Sequence, residues 1–291
     1  MLIFAKNKLD DTVYDKMMRG TDGIELHLDE DFINSNFYWN QEFINAIPIY
    51  VVHTPLMKGA DTNIDFEKDF NTIKRTCRFA NKIANTQNHD VIVVVHLATS
   101  VFQMKTLGVY KTVQLRALEC VDEYKNIHLA IENISRINSN FGKCRNILSI
   151  SFFDAPTIAR DIAHPRVGSC IDICHALIDI RLMNAIAEYT RGKYFDNDPE
   201  VRGGLDKLFE INADVIKLIH FANCKDAGIG KDHGTPMTEK DSDLTKEILK
   251  LYKKYNYSCP LTLEVQEDDY RFGVNYSKTK EVIEKCMGEI F

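Results

Sequence analysis

Six residues that close apolar runs could do chemistry together: His53, His96, Glu132, Asp172, His220 and Glu264. Each ends a short stretch such as Ile49-Tyr50-Val51-Val52-His53 or Val91-Ile92-Val93-Val94-Val95-His96. A carboxylate at the end of an apolar strand is costly unless something compensates its charge. Asp172 is also followed three residues on by His175, where a helical pattern begins. Taken alone, Asp172 could be a helix N-cap and His175 a satisfied core histidine. As a set, carboxylates and imidazoles are ligands for Mn²⁺, Zn²⁺, Co²⁺ or Mg²⁺. Three acids gathered between low-dielectric walls would repel one another unless cations sat between them.

Whether they gather depends on the elements that carry them. Strand-like runs alternate with helical patterns from Leu2 to Met287. The runs are Leu2–Ala5, Gly23–Leu28, Ile49–His53, Val91–Val95 leading into His96, His128–Asn133, Val167–Ile173, Val215–His220 and Pro260–Val265. Between them, Phe66–Asn85, Val109–Tyr124, Ala155–Ala163, Leu177–Tyr189, Val201–Asn212 and Leu244–Tyr255 have helical spacing, and Tyr276–Met287 closes the chain as a helix. Eight strands with intervening helices imply parallel pairing and right-handed crossovers. The fold expected is α/β, a single (β/α)₈ TIM barrel in which residues 1–291 form one domain. An open doubly wound sheet would announce a Gly-rich first turn, and the sequence has none. In a barrel the third to eighth strand ends meet at one mouth, so the six residues converge.

Composition narrows the class. The chain is 45% hydrophobic and 27% charged, as soluble globular proteins are. No apolar run reaches a membrane span, and Met1–Lys6 lacks the pattern of a signal peptide, so a cytoplasmic protein with no membrane partner is expected. Eight scattered cysteines without a C-x-x-C pair read as free thiols. Cys170 and Cys174 flank Asp172, but strand and turn geometry sets them against sharing one zinc. A net charge of −6 argues against a broad nucleic-acid footprint. The acidic, amide-rich segment Asp29–Gln41 argues the same way. Glu25 and His27 alternate with apolar neighbours and could line the barrel interior, in a hydrogen-bonding or a catalytic role. Asn133 could orient a ligand or simply turn the chain. Arg136, Lys143 and Arg145 could bind a phosphate or be solvated, and the loop with Lys225, Asp226, Gly228, Gly230 and Gly234 could close over a ligand or be a plain loop. Oligomerisation is left open.

The motifs Val51-Val52-His53-Thr54-Pro55, Val94-Val95-His96, Ala130-Ile131-Glu132-Asn133, Cys170-Ile171-Asp172-Ile173-Cys174-His175-Ala176, Ile219-His220-Phe221-Ala222-Asn223, Asp232-His233-Gly234 and Leu263-Glu264-Val265 occur in this order. Together they resemble the xylose isomerase-like TIM-barrel superfamily, which holds sugar isomerases, sugar epimerases and endonuclease IV. The resemblance implies a divalent metal on Glu132, Asp172, His220 and Glu264, with Glu132, Glu264 and His175 as catalytic residues. It implies an isomerase or epimerase of a sugar or sugar derivative, acting on a small-molecule substrate by metal-stabilised enediolate proton transfer. The alternative it carries is an endonuclease IV-like, metal-dependent phosphodiesterase acting on abasic DNA, and a second alternative is a non-catalytic metal- or sugar-binding barrel. In the nuclease, the positions matching His53, His96, His175, Asp232 and His233 would hold further metals. This sequence departs there: Asp232 and His233 are adjacent, and Lys231 stands two before His233, where the nuclease pattern has Asp-x-His.

Overall fold

The structure is a computed structural model. It describes residues 1–8, 12–29, 41–56, 69–97, 100–135, 137–138, 143–144, 151–191, 199–224 and 233–291. Asp232, the segment 30–40, Arg136, Arg145, Lys225, Asp226, Gly228 and Gly230 lie outside the described residues.

Eight strands close into a parallel barrel in sequence order: β1 (Ile3–Lys8), β2 (Gly23–Asp29), β3 (Ile49–Leu56), β4 (Val91–His96), β5 (Ile127–Glu132), β6 (Val167–Asp172), β7 (Ile216–Phe221) and β8 (Leu261–Leu263), which pairs back onto β1. The barrel expected from the sequence is therefore the one formed. Around it run α1 (Val13–Met18), α2 (Gln41–Ala46), α3 (Phe70–Gln87), α4 (Val101–Thr106), α5 (Tyr110–Glu123), α6 (Asp154–Ile162), α7 (Ile173–Tyr189), α8 (Pro199–Asn212), α9 (Ser242–Lys254) and α10 (Val274–Ile290). A two-stranded ladder, Ile137–Asn138 with Lys143–Cys144, sits in the crossover after β5. The short α2 and α4 escaped the sequence reading because six residues carry too little periodicity.

The barrel interior has two levels, and the period-2 alternation of strands sets them. The lower level is apolar: Phe4, Val51, Val94, Ala130, Cys170 and Leu218 form one buried cluster. Two residues further along the same strands stand Lys6, His53, His96, Glu132, Asp172 and His220. The main apolar core lies between barrel and helices, with Ile24, Val52, Val93, Val95, Ile131, Ile171 and Ile219 facing outward into it. Polar groups thus rest on a closed apolar floor, away from bulk water.

Close approach of β6 to β7 requires a glycine. A Cβ on Gly168 would run into the Val215 carbonyl and the Lys217 side chain. Gly168→Ala is expected to cost about 1–3 kcal/mol, as overpacking does. Thermal unfolding checks this, and an unchanged midpoint would contradict the close approach.

Candidate metal centre

Each inward polar side chain is held by its strand end. Asp172 closes β6 and caps α7: its Oδ1 accepts from the His175 backbone N–H at 2.7 Å. The capping role and the ligand role proposed from sequence are thus compatible, because Oδ2 remains free of hydrogen bonds. Asn133 locks this corner. Its Oδ1 accepts from the Asp172 N–H at 2.7 Å, its Nδ2 donates to the Asp172 carbonyl at 3.0 Å, and its own carbonyl accepts from His175 Nδ1 at 2.8 Å. That last bond leaves His175 Nε2 as the lone-pair nitrogen, 3.1 Å from His233 Nε2.

Ligand atoms of Glu132, Asp172, His220 and Glu264 all lie within 4.8 Å of one another. Glu132, Asp172 and His220 are fully buried, while the Glu264 side chain is 20% exposed. His220 Nδ1 stands 2.8 Å from Glu264 Oε2, 3.5 Å from Glu132 Oε1 and 3.9 Å from Asp172 Oδ2. The closest contact is off hydrogen-bond geometry, so His220 Nδ1, Glu264 Oε2 and Asp172 Oδ2 all lack a hydrogen-bond partner. Such orphaned buried atoms are rare and need an explanation. The explanation the donor set fits is a divalent cation among three oxygens and one imidazole nitrogen.

A second group adjoins the first. Glu132 Oε2 lies 3.3 Å from His53 Nε2 and 3.1 Å from His96 Nε2. His53 Nδ1 donates to the Thr54 carbonyl at 2.7 Å, so its Nε2 turns a lone pair toward a carboxylate. Asp172, Cys174 and His233 form a further close group, and Cys170 belongs instead with Glu132 and His220. The two cysteines therefore face different groups, as expected.

Electrostatics follow from burial and crowding. Burial, then Glu264 and Glu132, pushes the Asp172 carboxyl from 3.8 up to about 7. Burial opposes ionisation of Glu132 as well, but His96 and His220 hold it well below the usual range. Glu264 is held low by Lys6 and His220 against its own burial. His53, His175 and His233 are all lowered, chiefly by burial, which favours the neutral ligand form.

Lys6 lies beyond the apolar run Leu2–Ala5, and β1 carries on through it to Lys8. Its Nζ lies 2.7 Å from Glu264 Oε1 and 3.4 Å from Glu25 Oε1. The available signal was a charge two residues after Phe4, in the inward register. Glu25 is fully buried and accepts from His220 Nε2 at 3.0 Å, the hydrogen-bonding role considered for it. That bond also fixes which His220 nitrogen is left to face the carboxylates. Beside Glu264 opens a cavity of about 220 Å³ lined by Lys6, Asn7, Lys8, His27, His233, Glu264, Val265, Gln266 and Tyr270.

Known structures share the fold. A D-tagatose 3-epimerase-like protein matches with TM-score 0.63 at 15% identity, covering 100% of both chains. D-allulose 3-epimerase from Methylomonas sp., in complex with D-allulose, matches with TM-score 0.61 at 11% identity, covering 100% of this chain and 97% of that one. The IolI protein with a bound zinc atom matches with TM-score 0.57 at 12% identity, covering 100% and 98%. Identities this low speak for the fold alone. Among curated protein sequences none matches. The family model of the xylose isomerase-like TIM barrel matches residues 22–286, from β2 into α10, and the chain belongs to that family.

Proposed function

We propose that this chain is a divalent-metal-dependent enzyme that isomerises or epimerises a sugar or sugar derivative, its barrel working as one domain. The observation that carries the reading is the quartet Glu132, Asp172, His220 and Glu264, with three orphaned ligand atoms, beside a polar-lined cavity. These four residues would hold the metal, with Mn²⁺, Zn²⁺, Co²⁺ and Mg²⁺ all suited to the donor set. When bound, it supplies Lewis-acid polarisation of a carbonyl. Glu264, on the cavity wall, and Glu132, in the polar level above the apolar floor, exchange the proton at the carbon beside that carbonyl. His175, 15% exposed in its side chain, contacts a substrate oxygen. Asn133 keeps His175 and Asp172 in register throughout. Among the described residues no helix is long and apolar enough to cross a membrane, and seven cysteines are free thiols, which suits a cytoplasmic setting.

A second reading, phosphodiester hydrolysis on more than one metal, is favoured by Glu132 Oε2 lying between His53 and His96 and by the facing His175 and His233. DNA is a partner only under that reading. The deciding experiment incubates metal-loaded protein with a panel of ketoses and with an abasic-site duplex at low salt. Metal-dependent ketose conversion that disappears in Glu264→Gln is expected. Strand cleavage lost in Glu264→Gln, with no ketose converted, would replace the first reading with the second.

Metal affinity should depend on pH with a definite sign. Asp172 must lose its proton to act as a ligand, and in the metal-free protein it keeps that proton up to about pH 7. The apparent Kd for Mn²⁺ is therefore expected to weaken by at least roughly tenfold per pH unit below 7, and tightening should continue above it, because the His220 imidazole, held against its own burial well above its ordinary value by Cys170, Glu25, Glu132 and Glu264, must also release a proton to bind. Titration against an indicator between pH 5.5 and 8.5 measures this, and a flat profile would refute proton competition at Asp172.

A further inference from the structure

Each carboxylate of the quartet divides its two oxygens. Asp172 gives Oδ1 to the His175 N–H at 2.7 Å. Glu132 turns Oε2 to His53 Nε2 and His96 Nε2, at 3.3 and 3.1 Å. Glu264 gives Oε1 to Lys6 Nζ at 2.7 Å. The oxygens left over are those that face His220 Nδ1: Glu264 Oε2 at 2.8 Å, Glu132 Oε1 at 3.5 Å and Asp172 Oδ2 at 3.9 Å. The quartet therefore offers a cation one atom from each residue.

The three carboxylates are not held equally. Asp172 is fixed by backbone at the start of α7, and Glu132 is fully buried between two strand-end imidazoles. Glu264 stands just past β8 with its side chain 20% exposed, and what engages its Oε1 is the Lys6 ammonium. Among the described residues, Lys6 is the one ammonium or guanidinium within 4.0 Å of a quartet carboxylate. Lys6 is itself anchored from the far side: Nζ lies 3.4 Å from Glu25 Oε1, and Glu25 Oε2 accepts from His220 Nε2 at 3.0 Å. Lys6, Glu264, His220 and Glu25 thus close a ring of alternating partners. The ammonium is tethered at the Oε1 side and keeps that oxygen turned away from the other ligand atoms.

The number of oxygens a carboxylate gives decides which cation fits. Ca²⁺ takes roughly 6–8 oxygens and often draws both from one carboxylate, whereas Zn²⁺ and Mg²⁺ take roughly 4–6 ligands at shorter range. We infer that Lys6 is a positioning residue that keeps Glu264 a one-oxygen ligand, and that it thereby selects against Ca²⁺ and for the smaller Mn²⁺, Zn²⁺, Co²⁺ and Mg²⁺. This role rests on the metal quartet of the proposed function and adds the residue that governs its choice of cation. Without the ammonium, Oε1 is released to the cation and one positive charge leaves the site. Every divalent ion then gains from the charge, but Ca²⁺ gains more, because it makes use of the extra oxygen.

The test is competition of Ca²⁺ against bound Mn²⁺, followed by the Mn²⁺ electron paramagnetic resonance signal and needing no turnover. In Lys6→Met, the Kd for Ca²⁺ is expected to fall about tenfold relative to the Kd for Mn²⁺, the worth of one more oxygen ligand. Lys6→Arg keeps a cation on Oε1 and should keep the ratio of the unaltered chain. Taking the ratio cancels the general effects of charge and of loosened packing, which act on both ions alike. If Lys6→Met fails to fold, the double change Lys6→Met with Glu25→Gln decides. It removes one charge of each sign, and its amide oxygen can still accept from His220, so the same tenfold change is expected. A ratio unchanged in the folded variants, or an equal change in Lys6→Arg, overturns the role of Lys6 and leaves the quartet standing. No Mn²⁺ bound by the unaltered chain overturns both.

Discussion

Asp172→Asn should abolish the thermal stabilisation that divalent metal confers, while leaving the metal-free protein at least as stable as the unaltered chain above pH 7. The asparagine can keep the cap, since a side-chain oxygen still accepts from the His175 N–H. It removes the charge whose second oxygen lacks a partner among Glu132 and Glu264. Metal bound only by the native state adds about 2.7 kcal/mol at a hundredfold excess over Kd. In a chain of this size that is a rise of roughly 5 °C. The metal-free half of the expectation follows from linkage. Asp172 has its folded value raised from 3.8 to about 7, so the folded state binds more protons than the unfolded one between those limits. Its contribution to stability is therefore fully present at low pH and declines as pH rises through that window, and asparagine removes the decline. Scanning calorimetry with and without Mn²⁺ or Zn²⁺, at pH 6 and pH 8, measures both halves. A full metal shift surviving in Asp172→Asn would exclude this carboxylate as a ligand.

Breaking the buried pair of Lys16 and Glu267 should be strongly damaging although it lies away from the candidate metal centre. Lys16 Nζ lies 2.6 Å from Glu267 Oε1, with the side chains 2% and 1% exposed. Glu267 also accepts from the Asn275 and Tyr276 backbone N–H groups at 2.7 and 2.8 Å, at the start of α10. The Lys16 ammonium stands 5.2 Å from the centre of the Tyr276 ring. One carboxylate thus joins α1 to α10 and pins the segment three residues after Glu264, where Gln266 and Tyr270 line the cavity. Lys16→Met strands that charge in a dry site, and removal of one partner from such a pair typically costs about 3–5 kcal/mol. Urea unfolding is expected to show a loss of this size. The double change Lys16→Met with Glu267→Gln should recover part of it, because both charges are then gone. A loss below about 1 kcal/mol in Lys16→Met would mean that the pair is exposed or replaced by water.

The strand–helix alternation and the ligand-type residues at strand ends were legible because both are written in local pattern. Apolar runs of strand length need burial on both faces, and only a parallel barrel or sheet wrapped by helices provides it. Once eight such runs are counted, His53, His96, Glu132, Asp172, His220 and Glu264 must share one end of the barrel, with no knowledge of any single contact. Lys6 was not legible in the same way. Nothing local to Phe4-Ala5-Lys6 tells that β1 continues to Lys8, or that β8 closes against it and brings Glu264 within 2.7 Å. Glu25 and His27 were visible as inward candidates, but their partners lie on other strands. His220 is 195 positions from Glu25, and only barrel closure sets that distance. The same holds for the clamp that Asn133 places on Asp172, across 39 positions. Local sequence determined which residue types would stand at the barrel mouth, because period-2 alternation and strand ends are properties of a few consecutive residues. The tertiary structure decided which of their atoms are satisfied and which are left facing one another, because hydrogen bonds between strands depend on closure and register.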